Sequence, residues 1–442
     1  MSNSYATAWR LAIFSFVVAA FSGALMRYGM FAGMPAGLLL GDVRHAHSHL
    51  MFFAWVTPVV ILLLSEAVRR SGTEFRAGAV IASAAAVAGL LAYVPFLLSG
   101  YRLLAIGDKE LPLSMITSGL NGAVWYAFAS FYLIVTWGRR RTTVLRFADG
   151  AVVSLVVASV GALLLGFEGM TGILDARHMD AFVDMFLTLF ADGWFGLATI
   201  VGLLLTFFAD ALKSPRSARA LSASAWLLTT GLVVRTVARL AVDAYGLDEL
   251  AIVESVGAVL AGLAWLLVVG LLLSAVRRSH AAATKGSASA SEPAAPDKLV
   301  ALLVLLLLAV KAVFELAMAL PAGEAFITRE GLRIVLLHAF LLGVVSLALV
   351  SVMRSLFGPQ VWPGLGAFAA LVFVMLACLL PLTGLWPANL SGSWALRTAF
   401  YSSLGPATAG LLALLFGRSG QGAASERGTV RSEAPSPRRS QA

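Results

Sequence analysis

Long apolar stretches dominate this sequence and dictate its solvent. Of 442 residues, 60% are hydrophobic and only 12% are charged, too few to cover a water-soluble globule of this size. A helix needs about 20 mostly apolar residues to cross the roughly 30 Å hydrocarbon core of a bilayer. Short charged connectors divide the chain into twelve such blocks, numbered here as spans 1 to 12. The predicted spans cover residues 9–33, 45–68, 77–99, 112–137, 147–167, 178–208, 219–242, 250–276, 298–320, 333–354, 363–385 and 394–416.

The sequence therefore predicts an all-α integral membrane protein whose main partner is the lipid bilayer. The first block is too long for a cleavable signal peptide and has no basic stretch ahead of it, so we expect it to be retained as span 1. Cys378 is the only cysteine, which excludes disulfides within the chain, thiolate clusters and C-x-x-C-H haem attachment. Any cofactor must be held by other ligands.

Positive charge collects in alternate connectors. The chain has a net charge of +9. Its lysines and arginines mostly lie in the connectors that follow even-numbered spans, whereas the other connectors are acidic or mixed. The positive-inside rule then predicts that both termini are cytoplasmic, and we expect the membrane to be a bacterial inner membrane. This distribution explains the positive charge without a nucleic acid partner. The basic residues are Arg69, Arg70, Arg76, Arg139, Arg140, Arg141, Arg146, Lys213, Arg216, Arg219, Arg277, Arg278, Lys285, Lys298, Arg427, Arg431, Arg438 and Arg439.

Two segments differ from the apolar blocks in composition. Residues 279–297 are rich in Ala, Ser and Pro, which predicts a flexible cytoplasmic linker between spans 1–8 (residues 1–278) and spans 9–12 (residues 298–416). Residues 417–442 are basic and of low complexity, which predicts a disordered cytoplasmic tail.

The spans fall into three groups of four, which predicts a pseudo-threefold arrangement of four-helix repeats. Spans 2, 6 and 10 occupy equivalent places in the three groups. Asp184 precedes Trp194 by ten residues, as His45 precedes Trp55, so a carboxylate replaces a histidine in the second repeat.

Histidines collect near the predicted outer ends of spans 2, 6 and 10, and only His280 lies elsewhere, in the linker. His49 follows Arg44, and His338 follows Arg333, by five residues each. At 1.5 Å per residue, both imidazoles lie about 7–8 Å below the arginines. Equal depth suits two axial ligands of one haem iron, and neutral imidazole is a good iron ligand. The candidate metal ligands are His45, His47, His49, His178 and His338.

The spacing thus predicts a b-type haem, and it leaves the choice among the span 2 histidines open. His45 and His49 share a helix face, whereas His47 points some 200° away from His45. One haem cannot bind all three of these histidines, so the remaining pair predicts a second metal such as copper. Alternatively, His45 simply faces the membrane interface. Arginines in the outer parts of their spans are placed to pair with haem propionates. They are Arg27, Arg44, Arg235, Arg239 and Arg333.

Ionisable residues inside spans offer an alternative function. Lys311 and Glu315 stand at i,i+4 and are expected to neutralise each other. Asp192 lies near mid-membrane and suits a proton or ion path. The alternative is therefore a proton-coupled secondary transporter that uses buried carboxylates. The ionisable residues of spans 6, 8 and 9 are Asp180, Asp184, Asp192, Glu254, Lys311 and Glu315.

Two short segments resemble elements of the NnrS family. His47-Ser-His49-Leu-Met-Phe-Phe-Ala-Trp55 resembles its H-x-H-E-M-L-F-G-F element, apart from Leu50 where that element is acidic. His338-Ala-Phe-Leu-Leu-Gly343, running on to Met353-Arg354, resembles its later H-A-L-T-V-G element. NnrS proteins have twelve spans and are associated with haem, copper and the response to nitric oxide. The resemblance implies haem and copper as cofactors and nitric oxide as a ligand.

The layout also resembles subunit I of haem-copper oxidases, which has twelve spans in a threefold arc and low-spin haem ligands on spans 2 and 10. Their oxygen-reducing centre needs a histidine pair on span 7 and further histidines on spans 6 and 10. Here span 7 has none, and His338 is the only one on span 10. This resemblance implies a low-spin haem served by an electron donor, without the oxygen-reducing centre. The sequence thus favours a haem protein of nitric oxide stress or membrane electron transfer.

Overall fold

The computed structural model describes residues 2–172, 175–283 and 295–418. Within these ranges, twelve helices are long and apolar enough to cross a membrane, which confirms the predicted all-α membrane fold. Spans 1 to 12 are Asn3–Ala32, Leu40–Arg70, Gly78–Ser99, Leu113–Thr136, Thr143–Glu168, Ala176–Thr206, Pro215–Tyr245, Asp248–Arg278, Asp297–Met318, Leu332–Phe357, Leu365–Leu382 and Ser393–Phe416. We call the end at which spans 2, 6 and 10 begin the outer end.

Three helices continue beyond their spans. The helix of span 5 extends to Thr171, that of span 8 extends to Ala283, and that of span 9 begins at Ala295. The ends of the predicted linker, residues 279–297, therefore belong to these helices, and its middle lies outside the described residues. The predicted disordered tail also lies outside them beyond residue 418.

Short elements join the spans. Strands Leu104–Ile106 and Lys109–Leu111 form an antiparallel hairpin between spans 3 and 4, and helix Pro321–Arg329 precedes span 10. Single 3-10 turns mark chain reversals and span ends. These turns are Pro35–Gly37, Ala209–Leu212, Asp248–Leu250, Pro359–Val361, Leu380–Leu382 and Ala388–Leu390.

Spans 2, 6 and 10 form the centre of the molecule. Their apolar windows are 94%, 89% and 67% buried, against 33–56% for the other spans. The three meet at Gly202 of span 6, where an added Cβ would lie 3.0 Å from Leu63 of span 2 and from Val352 of span 10. In the described chain, the other nine spans pack around them in the order 1, 3, 4, 5, 7, 8, 9, 11, 12 and back to 1. Three central helices inside a closed ring match the predicted grouping.

Each central span also contains a π-helical segment. The segments are Leu50–Val56, Leu189–Gly196 and Ala339–Ser346. The residues directly before them are His49, Thr188 and His338. Such wide turns are rare and are often found at functional sites. Their recurrence at equivalent positions supports the equivalence of spans 2, 6 and 10.

Hydroxyl groups close two of the π segments in the same way. Thr57 stands eight residues after His49, and its hydroxyl donates to the carbonyl of Phe52, five residues back, at 2.7 Å. Ser346 stands eight residues after His338 and donates to the carbonyl of Leu341, also five residues back, at 2.9 Å. These bonds satisfy carbonyls that the wider turn displaces from the α-helical pattern.

Aromatic rings fill the space between spans 1, 2 and 11 on the inner side of the histidines. Trp55 packs against Trp9 and Phe16 with ring centroids 5.8 and 5.0 Å apart, and Trp362 packs against Phe16 and Phe368 at 5.8 and 4.9 Å. Trp55 also donates to Ser346 of span 10 at 3.0 Å. This cluster forms an apolar layer on the inner side of the outer ends of spans 1, 2 and 10.

Candidate functional site

His47 of span 2 faces span 1. Its Nδ1 lies 2.7 Å from the carbonyl oxygen of Ala19, which can only accept, so Nδ1 carries the proton. The lone pair is then on Nε2, the arrangement that prepares an imidazole to bind a metal. The ring packs over Gly23, where an added Cβ would lie 2.9 Å from Cε1 of His47. Glycine is therefore needed beside this imidazole.

His338 of span 10 is arranged in the same way. Its Nδ1 donates to the carbonyl of Ile334 at 2.8 Å, and its Nε2 accepts from Nη2 of Arg27 at 3.3 Å. The Cβ position at Gly23 lies 2.9 Å from Cε1 of His47 and 3.6 Å from Nη1 of Arg27, so His47 and Arg27 lie on the same side of span 1. Spans 1, 2 and 10 thus bring two lone-pair-bearing imidazoles and one arginine to a single place. We call Arg27, His47 and His338 the His47–His338 site.

Arg27 is an unusual residue for the interior of a membrane protein. It is only 5% exposed, and its Nη1 donates to the carbonyl of Gly23 at 3.2 Å. Within residues 2–172, 175–283 and 295–418, no carboxylate pairs with it. A buried charge without a counter-ion costs several kcal/mol. The His47–His338 site is therefore short of negative charge.

His49 points away from this site. Its ring stacks on Phe96 of span 3 at 3.8 Å between centroids, and its Nδ1 donates to the carbonyl of His45 at 2.9 Å. Its Nε2 lies 3.3 Å from the hydroxyl of Ser118 on span 4. Two residues of an α-helix turn about 200°, so His47 and His49 lie on opposite faces. The structure brings His338 together with His47 and not with His49.

The remaining outer histidines lie apart from the His47–His338 site. The half-buried His45 packs edge-on against Tyr101, with centroids 4.8 Å apart. His178 donates from its backbone N–H to Asp175 at 2.9 Å, which lowers the pKa of that carboxyl, and its Nδ1 lies 2.8 Å from the same oxygen. In the described residues, no group of three or more His, Cys, Asp or Glu side chains could hold a metal ion. The predicted copper ion stays a prediction.

Buried charges form a network between spans 6, 7 and 9. Lys311 Nζ lies 2.9 Å from Asp192 and 2.5 Å from Glu315, and Glu315 also pairs with Arg235. The predicted pair of Lys311 and Glu315 is thus present. It is part of a group of two acids and two bases that spans three helices.

A second group of ion pairs surrounds Arg239, which stands one helical turn after Arg235 toward the outer end. This guanidinium pairs with four carboxylates at 2.6–3.5 Å, and one of them, Asp184, also pairs with Arg333 at 3.0 Å. The four carboxylates are Asp184, Asp243, Glu254 and Glu324. Of the arginines predicted to hold propionates, Arg235, Arg239 and Arg333 are therefore engaged by acids, and Arg44 is exposed.

The fold and these contacts define a multi-pass membrane protein with a histidine–arginine site between spans 1, 2 and 10 and a charge network between spans 6 to 10. Comparison with known proteins adds no family: no family model matches the sequence, and no curated protein matches it significantly. The resemblance to NnrS proteins and oxidases therefore depends on the segments of spans 2 and 10 alone.

Proposed function

We propose that the protein binds one b-type haem between spans 1, 2 and 10, with His47 and His338 as the axial ligands. The observation that carries this proposal is a pair of imidazoles, each with Nδ1 bound to a carbonyl, beside a buried arginine that has no carboxylate partner in the described chain. Imidazole Nε2 is a common haem ligand, and propionates would supply the negative charge that Arg27 lacks.

The donor set fits this cofactor in two further respects. The guanidinium of Arg27 donates to Nε2 of His338, so this lone pair already faces a positive charge, as it would face an iron ion. The missing side chain at Gly23 leaves room for the ring of His47. Haem held by two imidazoles would supply reversible one-electron transfer. With both axial positions taken by the chain, membrane electron transfer from an electron donor is favoured over direct binding of nitric oxide.

The test is a reduced-minus-oxidised absorption spectrum of the purified full chain. We expect Soret and α bands in the wild-type protein and their loss or displacement in His47→Ala and His338→Ala. His49→Ala is the matched control, because it removes an imidazole two residues away on the opposite helix face. A wild-type protein without these bands would refute the proposal, as would bands that only His49→Ala removes.

A second candidate function is proton-coupled transport. It is supported by the network of Asp192, Lys311, Glu315 and Arg235, above which the ion pairs of Arg239 lie one helical turn nearer the outer end. Carboxylates buried among membrane spans are typical of proton and substrate paths. Such a path would use a different cleft from the haem, so the two functions do not exclude each other.

Proteoliposomes that contain a pH-sensitive dye test this second candidate. Proton uptake in response to a pH gradient should be present in the wild type and absent in Asp192→Asn. Glu74→Gln is the control, since Glu74 is exposed and pairs only with Arg76 in the described chain. Uptake that Asp192→Asn leaves intact would rule out this path.

We also infer a bacterial inner membrane location with both termini in the cytoplasm. The support is the clustering of arginines and lysines after spans 2, 4, 6 and 8. This orientation places the His47–His338 site near the extracytoplasmic surface.

A further inference from the structure

A cavity of about 450 Å³ lies across span 2 from the His47–His338 site. It is bounded by spans 2, 4, 5 and 6, and its size falls within the range of small-molecule sites. His49 forms part of its wall together with the aromatic rings of Phe53, Tyr101, Trp125 and Phe186. None of its lining residues is Lys, Arg, Asp or Glu. The cavity therefore suits an uncharged ligand with a flat ring.

The cavity opens sideways into the bilayer. Ile116 of span 4 and Leu163 and Phe167 of span 5 line it and are also 54%, 51% and 50% exposed on the lipid-facing surface. All three lie near the outer ends of their spans, at the level of His49. A ligand would enter between spans 4 and 5 from the lipid, so it must be lipid-soluble.

Span 4 carries a row of polar side chains beside this cavity. Ser114, Ser118, Asn121 and Trp125 recur at helical spacing, and Ser118 and Trp125 line the cavity. In the described chain, the hydroxyl of Ser114, both amide atoms of Asn121 and Nε1 of Trp125 are buried without a hydrogen-bond partner. Buried polar groups without a partner are uncommon in native folds, so this row indicates that a ligand or water binds beside span 4.

His49 adds an acceptor to this row. Because its Nδ1 donates to the carbonyl of His45, the lone pair is on Nε2, which lies 3.3 Å from the hydroxyl of Ser118. The cavity thus combines an imidazole acceptor and a hydroxyl between aromatic walls. A phospholipid head group or a fatty acid would find no basic side chain among the lining residues.

We propose that this cavity binds a lipid-soluble quinol. The flat ring lies among the aromatic side chains, and the isoprenoid tail leaves between spans 4 and 5. One ring hydroxyl replaces the hydroxyl of Ser118 as the donor to Nε2 of His49, because that nitrogen has a single lone pair. The site lies about one helix diameter, 10–12 Å, from the proposed haem ligand His47. The role of the quinol as electron donor rests on the proposed haem, whereas its binding does not.

The test is calorimetric titration of the full chain in lipid nanodiscs with decylubiquinol under reducing conditions. His49→Leu removes the acceptor and should weaken binding about tenfold, the value of one hydrogen bond. Gly122→Leu should abolish binding, because an added Cβ at Gly122 meets nothing within 4 Å and the side chain would fill the cavity. His45→Leu is the matched control and should bind as the wild type does.

The variant His338→Ala separates this inference from the proposed haem. We expect it to lose the haem bands and still bind decylubiquinol as the wild type does. Absence of binding to the wild type, or equal binding by Gly122→Leu, would overturn the quinol site, whether or not haem is present. Binding without haem bands in the wild type would support the quinol site and refute only the haem.

Discussion

Arg27 and Arg235 are two arginines of similar burial in very different surroundings. Arg235 is 6% exposed and pairs with Glu315, whereas Arg27 is 5% exposed and, in the described residues, contacts only a carbonyl and an imidazole. The charge of Arg235 is thus compensated inside the protein, and that of Arg27 is not. The uncompensated charge marks the place where an anionic group of a ligand would bind.

Replacement of Arg27 should therefore separate stability from cofactor binding. We expect Arg27→Met to stabilise the haem-free protein by about 1–3 kcal/mol, because it removes a buried, unpaired charge. The same change should lower the haem content of the purified protein. Thermal unfolding of the haem-free protein measures the change in stability. The absorption spectrum of the purified protein measures the haem content.

Arg235→Met is the matched comparison. It removes a partner of the buried Glu315 and should destabilise the protein by about 3–5 kcal/mol, the cost of breaking a buried pair. Equal destabilisation by Arg27→Met would mean that Arg27 has a structural partner in the haem-free protein, contrary to this interpretation.

The histidines show what a sequence can predict of such a site. Five-residue spacing from an arginine gives the depth of a side chain along its helix, and it directs attention to the outer ends of spans 2 and 10. It says nothing of direction around the helix. His47 and His49 differ by only about 3 Å in depth but by 200° in direction, so the spacing selected His49 where the fold turns His47 toward His338.

At the scale of elements, the number and approximate bounds of the spans follow from hydropathy alone, because lipid leaves a helix as the main way to satisfy backbone groups. The π segments do not follow from it. Thr57 and Ser346 donate to carbonyls five residues back, and Ser346 also accepts from Trp55 of span 2, which is far from it in the sequence. Apolar runs of this kind give no periodic signal that distinguishes a π turn from an α turn.

Removal of a hydroxyl tests the role of a π segment. Ser346→Ala leaves the indole N–H of Trp55 without a partner and removes one donor to the carbonyl of Leu341, so we expect it to cost about 1–3 kcal/mol. Ser351→Ala is the control in the same span, because that hydroxyl only bonds to the carbonyl four residues back. It should cost well under about 1 kcal/mol. Chemical unfolding in detergent measures both, and equal costs would argue against a special role for the segment.

At the scale of the whole molecule, three clefts border the central spans, and each contains different chemical groups. Spans 1, 2 and 10 enclose two imidazoles and an arginine, spans 2, 4, 5 and 6 enclose a cavity, and spans 6 to 10 enclose ion pairs. The grouping in fours could be predicted from span count and histidine placement. The filling of each cleft could not, because it depends on residues far apart in the sequence that only the fold brings together.

The orientation of the molecule is testable with single cysteines in a Cys378→Ala background. A membrane-impermeant maleimide applied to intact spheroplasts should label Glu249→Cys. Glu249 is the second residue of span 8 and is exposed at the outer end of the molecule. The reagent should label Arg140→Cys, after span 4, only when the membrane has been opened. The reverse pattern would place the termini outside and the His47–His338 site near the cytoplasm.

The low-temperature electron paramagnetic resonance spectrum of the oxidised full chain tests the paired histidines most directly. We predict a low-spin ferric signal in the wild type and in His49→Ala. In His47→Ala we predict a high-spin signal that added imidazole converts back to low-spin. A high-spin signal in the wild type, or a low-spin signal that survives His47→Ala and is lost in His49→Ala, would contradict the assignment of His47 and His338 as the two ligands.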